Sequence, residues 1–189
     1  MIFSQMEEDK VKNILKEINF VDIAVTEFDI LDRLLDRLRW PRIYPWNQPS
    51  IEAINKDGSQ HQNFFDDDNY LNSMSCIQCY EEGHTLIMSN VGSLFKDLWL
   101  VEQVLYKNFK QIINCNLYFG NGKKSVSFPL HKHDYAVIVK NLYGESVWII
   151  DGKEVILKDQ DTIWFDKDTY HQVIAIKKPK ASLTCNIVL

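Results

Sequence analysis

The sequence predicts a mainly antiparallel β domain, a barrel or double-sheet jelly roll, with helices packed on its outside towards the N-terminus. Three observations predict it. The C-terminal half carries short β-like runs separated by turn residues. The N-terminal part instead repeats its apolar residues at helical spacing. In the β-like region, His131-Lys132-His133 puts two histidines at alternate positions of a predicted strand, hence on one face, and His171 follows on another strand. Three such imidazoles can complete one face of a metal site, and imidazole suits Fe, Zn, Cu and Ni.

Along the chain, Val11, Ile14, Leu15 and Ile18 mark a first helix. Phe28, Leu31, Leu34, Leu35 and Leu38 line one face of a second, with Thr26 and Asp29 as a capping pair. Pro41 ends it near Trp40. From Pro41 to Cys79 the pattern is irregular, rich in Pro, Asn, Gln and Asp, and is read as long loops with short elements. His84 to Ser89 reads as a strand. Ser93 to Phe109 reads as a helix capped by Ser93, with Leu94, Leu98, Val101, Leu105 and Phe109 as its buried stripe. Strands follow at Ile112–Phe119, Ser125–Leu130, Tyr135–Leu142, Val147–Ile150, Glu154–Leu157, Thr162–Phe165, His171–Ile176 and Ser182–Val188. Asp151-Gly152 supplies a type I′ hairpin turn. No internal repeat and no separable second domain is visible, so residues 1–79 (helices and loops) and 80–189 (the barrel) are expected to form one structural unit.

Composition narrows the function. The chain has 189 residues, 46% hydrophobic and 12% aromatic, which suits a packed globular protein rather than a disordered one. A formal charge of −5 without a Lys/Arg-rich run argues against a nucleic-acid partner. No apolar run of about eighteen residues suggests a membrane span, and no leader pattern follows Met1, so a cytoplasmic location is expected. The four cysteines are scattered. Cys76-x-x-Cys79 lacks a second pair, and free thiols in a reducing compartment are the expectation. Asp66-Asp67-Asp68 reads as a solvated loop or helix start, and His61 and His84 as structural or surface residues.

Motif order and spacing over residues 80–189 resemble the JmjC-type cupins, most closely the ribosomal-oxygenase-like branch of the Fe(II)/2-oxoglutarate oxygenases. Tyr80-Glu81-Glu82-Gly83-His84-Thr85-Leu86 looks like that group's strand entry, and Leu94 to Trp99 opens the helix that follows it. Asn116-Leu117-Tyr118 resembles the strand before the metal motif, and His131-x-His133 stands where the family has H-x-D. Gly144 and Trp148 fall at the family's spacing, and Asp161 to Phe165 looks like the strand and turn that deliver the last ligand, His171. The resemblance implies a double-stranded β-helix barrel with Fe(II) at His131, His133 and His171. It implies that decarboxylation of 2-oxoglutarate to succinate, with O2, drives hydroxylation of a substrate. Asn116 and Tyr118 would face the cofactor pocket, with barrel packing as the plainer role.

Three departures keep alternatives open. His133 replaces a carboxylate, which matches three-histidine cupins that use O2 without 2-oxoglutarate or hold Zn, Ni or Cu; Asp134 is the fallback ligand. Ser146 stands where the family carries the Lys or Arg that binds the distal carboxylate of 2-oxoglutarate, so Lys140 or Lys124 would have to supply the cation. Val137, Asp166 and Asp168 stand where small-molecule cupins carry Glu, Pro and Gly. A non-catalytic binding module on a degenerate barrel is the remaining alternative. Trp148 and Trp164 read as core aromatics; Trp40, Tyr44 and Trp46 as packing residues or walls of a cleft. The chain ends where related ribosomal oxygenases usually carry further domains, which favours a small-molecule or peptide substrate. Homodimerisation through the N-terminal helices is compatible with their amphipathic pattern.

Overall fold

Alternation along the strands decides the architecture. The computed structural model describes residues 5–19, 21–35, 51–55, 57–61, 64–68, 70–111, 113–122, 125, 127–176 and 178–188. Leu38, Trp40, Tyr44, Trp46, Ile112 and Lys124, each singled out above, lie outside them. The described elements are α1 (Gln5–Asn19), α2 (Glu27–Leu35), β1 (Ile51–Ile54), β2 (Gln60–His61), α3 (Ser73–Glu81), β3 (Thr85–Ser89), α4 (Lys96–Phe109) and β4 (Asn114–Gly120). After them come β5 (Ala136–Tyr143), β6 (Ser146–Ile150), β7 (Lys153–Leu157), β8 (Thr162–Phe165), β9 (His171–Ile176) and β10 (Lys180–Ile187). They form a seven-stranded sheet, β2-β1-β3-β4-β10-β5-β8, and a three-stranded sheet, β7-β6-β9. Every strand pairing is antiparallel. This is the mainly β, double-sheet jelly roll that the sequence predicts.

One face of the large sheet builds the main core. Leu117 and Phe119 of β4, Ile138 of β5 and Leu183 of β10 are buried there with Val101 and Leu105 of α4 and Ile14 and Ile18 of α1. Trp164 of β8 stacks on Phe109 at the end of α4, ring centroids 6.4 Å apart. A smaller cluster, Val137, Val139, Trp148, Leu157 and Phe165, fills part of the space on the other face of the large sheet. No helix among the described residues is long and apolar enough to cross a membrane.

The local signals hold in most places. The Thr26 hydroxyl donates to Asp29 Oδ2 at 2.6 Å, and Asp29 N–H donates back to Thr26 Oγ1 at 3.2 Å, a reciprocal cap for α2. Asp151 and Gly152 take φ +46° and +75°, as a type I′ turn requires. Asp66 to Asp68 are exposed, and Asp66 Oδ1 accepts from the N–H groups of Asp68 and Tyr70, which makes the acidic cluster a tight turn.

Three readings need correction. The buried stripe of α2 runs through Ile30 and Leu34, while Phe28 and Leu35 are 75% and 54% exposed. The helix carries two apolar stripes, and periodicity alone does not choose between them. Ser93 does not cap α4: it ends a 3-10 turn, Val91–Ser93, and donates to Asn90 O at 2.8 Å, while extended Phe95 begins the helix. The described residues of Ser125–Leu130 carry no strand. Pro129 lacks the N–H that a ladder needs, and His131 touches the sheet only by an isolated bridge to His171. The short elements read into the stretch after Pro41 include β1, which pairs with β3 in register Ile51↔Met88 and so extends the large sheet.

Candidate metal centre

His131 and His171 are joined through their backbones, each N–H donating to the other's carbonyl, at 3.1 and 2.8 Å. His131 therefore reaches the site without belonging to a continuous strand, and His133 follows in the irregular approach to β5. The three rings still converge. Their centroids are 4.8 Å (His131–His133), 4.3 Å (His131–His171) and 5.2 Å (His133–His171) apart. One ligand atom from each lies within 4.8 Å of the others.

Two tautomers follow from the hydrogen bonds. His131 Nδ1 lies 2.7 Å from Pro129 O, and His171 Nδ1 lies 2.9 Å from Thr169 O. A carbonyl only accepts, so both Nδ1 atoms carry the proton and both Nε2 lone pairs are free to bind a cation. His133 is held differently, by a near-parallel stack on Tyr135 at 4.5 Å. Burial pushes the His133 imidazole down to about 4, helped by the charges its neighbours would carry and opposed by Asp134. Burial likewise lowers His171. Neutral imidazoles are the ligating form, so this donor set suits a divalent transition metal. A metal–imidazole bond of about 2.0–2.1 Å limits two ligand atoms to roughly 4.2 Å apart, so a pair as wide as 4.8 Å would have to close before both could hold one ion.

The histidines sit at one side of a cavity of about 160 Å³ between the two sheets. Phe165 packs on His171 with centroids 4.4 Å apart, and Trp148 lies nearly parallel to it at 6.4 Å. The opposite wall is polar. Lys180, Ser182, Thr184 and Asn186 all face the cavity from alternate positions of β10, beside Tyr118 of β4 and Thr85 of β3. Lys180 is only 2% exposed, and its ammonium approaches the Trp148 ring at 5.9 Å. Among the described residues no carboxylate raises its proton affinity, and burial lowers it from 10.5 to about 8. The turn that lets Lys180 in depends on Gly144 (φ +77°): a Cβ there would lie 2.3 Å from Pro179 O and 2.8 Å from Lys180 Cβ.

Of the four residues linked to the cofactor by resemblance, Tyr118 lines the cavity. Asn116 shares its face of β4 and is paired with Thr184, but it does not line the cavity, and its buried Oδ1 has no hydrogen-bond partner among the described residues. Lys140 extends from β5 on the face opposite to Val137 and Val139 and donates to Gln160 O at 3.3 Å. The Ser146 hydroxyl accepts from Trp148 Nε1 at 2.9 Å, on the same face of β6, and does not line the cavity. Asp134 is exposed and outside the converging donor set. His84 Nδ1 meets Ile54 O at 3.0 Å, a structural tie between the ends of β3 and β1.

No protein-family model matches the chain. No curated protein matches it either. Solved structures do show partial likeness. A cupin superfamily protein from Desulfitobacterium hafniense aligns at 21% identity over 41% of this chain and 68% of its own, with a TM-score of 0.36. A cupin protein from Bacteroides fragilis aligns at 19% identity over 44% and 72%, TM-score 0.35. The DMSP lyase DddQ from Ruegeria pomeroyi aligns at 16% identity over 40% and 38%, TM-score 0.35, so the chain spans well under half the length of that enzyme.

Proposed function

We propose that this chain is a metal-dependent cupin oxygenase. In this reading it holds Fe(II) at His131, His133 and His171 and uses 2-oxoglutarate and O2 to hydroxylate or oxidise a small molecule or peptide at the mouth of the barrel. The observation that carries the proposal is the pairing of three converging imidazoles with the buried Lys180 side chain on the wall of the same small cavity. A dicarboxylate answers both ends of that arrangement. Lys180 takes over the charge that the resemblance assigns to the position of Ser146, approaching from β10 rather than β6.

When bound, the metal supplies the O2 chemistry, which no side chain here can supply. The protein's own residues do the rest. The Pro129 and Thr169 carbonyls fix which nitrogen of His131 and His171 carries a proton, and so keep the lone pairs aimed inward. Lys180 binds the distal carboxylate, with the Tyr118 and Thr184 hydroxyls as neighbouring donors. Phe128, Trp148 and Phe165 keep water away from the histidine side of the cavity. A second reading, O2 chemistry without 2-oxoglutarate, draws on the all-imidazole donor set.

The test is an anaerobic titration of the Fe(II)-loaded protein with 2-oxoglutarate, followed by the visible charge-transfer band of the chelate. A saturable band, weakened at least about tenfold in Lys180→Met, is expected, since losing a charged anchor costs roughly 1.5–3 kcal/mol. Stoichiometric iron with no band at any concentration overturns the 2-oxoglutarate reading in favour of the second.

A further inference from the structure

We propose that Cys115 and Cys185 form a modification site, a pair placed to be joined by a disulfide across β4 and β10. The two residues stand directly opposite one another in the antiparallel register. Their sulfurs lie 2.8 Å apart as free thiols, Cys115 donating to Cys185. Facing residues of an antiparallel ladder have Cα atoms about 4.5–5.5 Å apart, inside the roughly 4.4–6.8 Å window that a disulfide needs. The ladder alone thus brings the pair into range. Leu117 and Leu183, next along the same strand faces, pack in the same apolar core. Thiols are weak donors and acceptors, so the covalent bond replaces a contact of little worth. Because the other faces of these strands carry Tyr118, Thr184 and Asn186, the link would pin the polar wall of the cavity from behind.

Two S–H bonds break and one S–S bond forms. The two electrons and two protons pass to the oxidant, either a small disulfide that leaves as two thiols or an azo compound whose N=N bond becomes a hydrazine. Both sulfurs are buried, at 0% and 1% exposure. Oxidation therefore waits on local opening of the ladder, and the finished bond is equally shielded from reductants.

The experiment incubates the purified chain with oxidised glutathione and, separately, with diamide, each with and without urea below the unfolding midpoint. Samples are acid-quenched, unfolded, alkylated and mapped by mass spectrometry. The expected result is an intramolecular Cys115–Cys185 peptide lighter by two hydrogens, with Cys76 and Cys79 alkylated. A rise in Tm of about 5–10 °C that reductant abolishes should accompany it. The Cys76→Ser/Cys79→Ser variant, which leaves the pair untouched, should give the same bond, and the wild-type map decides if that variant does not fold. Four alkylated cysteines under every condition, or bonds only to Cys76 or Cys79, overturn the assignment.

Discussion

On one face of β10, Ala181, Leu183, Cys185 and Ile187 are buried in the main core. On the other, Lys180, Ser182, Thr184 and Asn186 line the cavity. The same eight-residue strand thus carries two kinds of chemistry. The core face removes apolar area from water and is constrained by volume. The cavity face holds polar groups, one of them a cation, where burial works against folding. A strand wall that keeps such groups out of bulk water is better explained by a ligand than by stability. Loss on the core face should therefore destabilise the protein strongly, while loss on the cavity face should cost it little stability and weaken ligand binding.

The largest expected effect is on the core face. Leu183→Ala should lose about 2–5 kcal/mol in urea unfolding, the cost of transfer plus cavity, whereas Thr184→Ala should lose less than about 1 kcal/mol. Near-equal losses would break the contrast between the faces.

Lys180→Met should stabilise the metal-free protein, by on the order of 3 kcal/mol, since the shift from 10.5 to about 8 measures the penalty on the buried charge. The sign follows from proton binding. Below about pH 8 the lysine is charged in both the folded and the unfolded chain, and the full penalty applies. As pH rises from about 8 towards 10.5, the folded protein gives up the proton first, so wild-type stability rises and the variant's advantage shrinks. Unfolding of both proteins across that window checks it. An advantage that is absent at pH 7, or that grows with pH, would contradict the assignment.

Gly144→Ala should cost roughly 1–3 kcal/mol, because φ is +77° and the new Cβ would meet Pro179 O at 2.3 Å. It should also weaken carboxylate binding by displacing the start of β10, a second readout in the 2-oxoglutarate titration. The smallest effect belongs far from the site. Thr26→Ala removes the reciprocal cap of α2 and should lose about 1 kcal/mol with ligand binding unchanged.

The strands were legible because turn residues and alternation are local, and so were the three histidines. The strand argument behind His131 and His133 was not: Pro129 breaks the ladder, and a single bridge to His171 does the positioning. The second cap was misread at Ser93, where the chain makes a 3-10 turn first. Lys180 was missed for a deeper reason. Polar residues at alternate positions of β10 look the same whether that face meets solvent or an enclosed cavity, and only the closure of the second sheet over it decides. Gly144 carried a readable signal, its spacing from His131 and Trp148. Its physical cause, the close approach of Pro179 and Lys180, comes from a segment distant in sequence.

The most direct test of the central claim is the metal content of the protein after anaerobic equilibrium dialysis against Fe(II), for wild type, His131→Ala and His171→Ala. One iron per chain is predicted for wild type. Affinity should fall by more than about 100-fold in each variant, since even an outer partner of a ligand is worth roughly 10–100-fold. No retained iron in wild type, or the same iron content in all three proteins, would contradict the account.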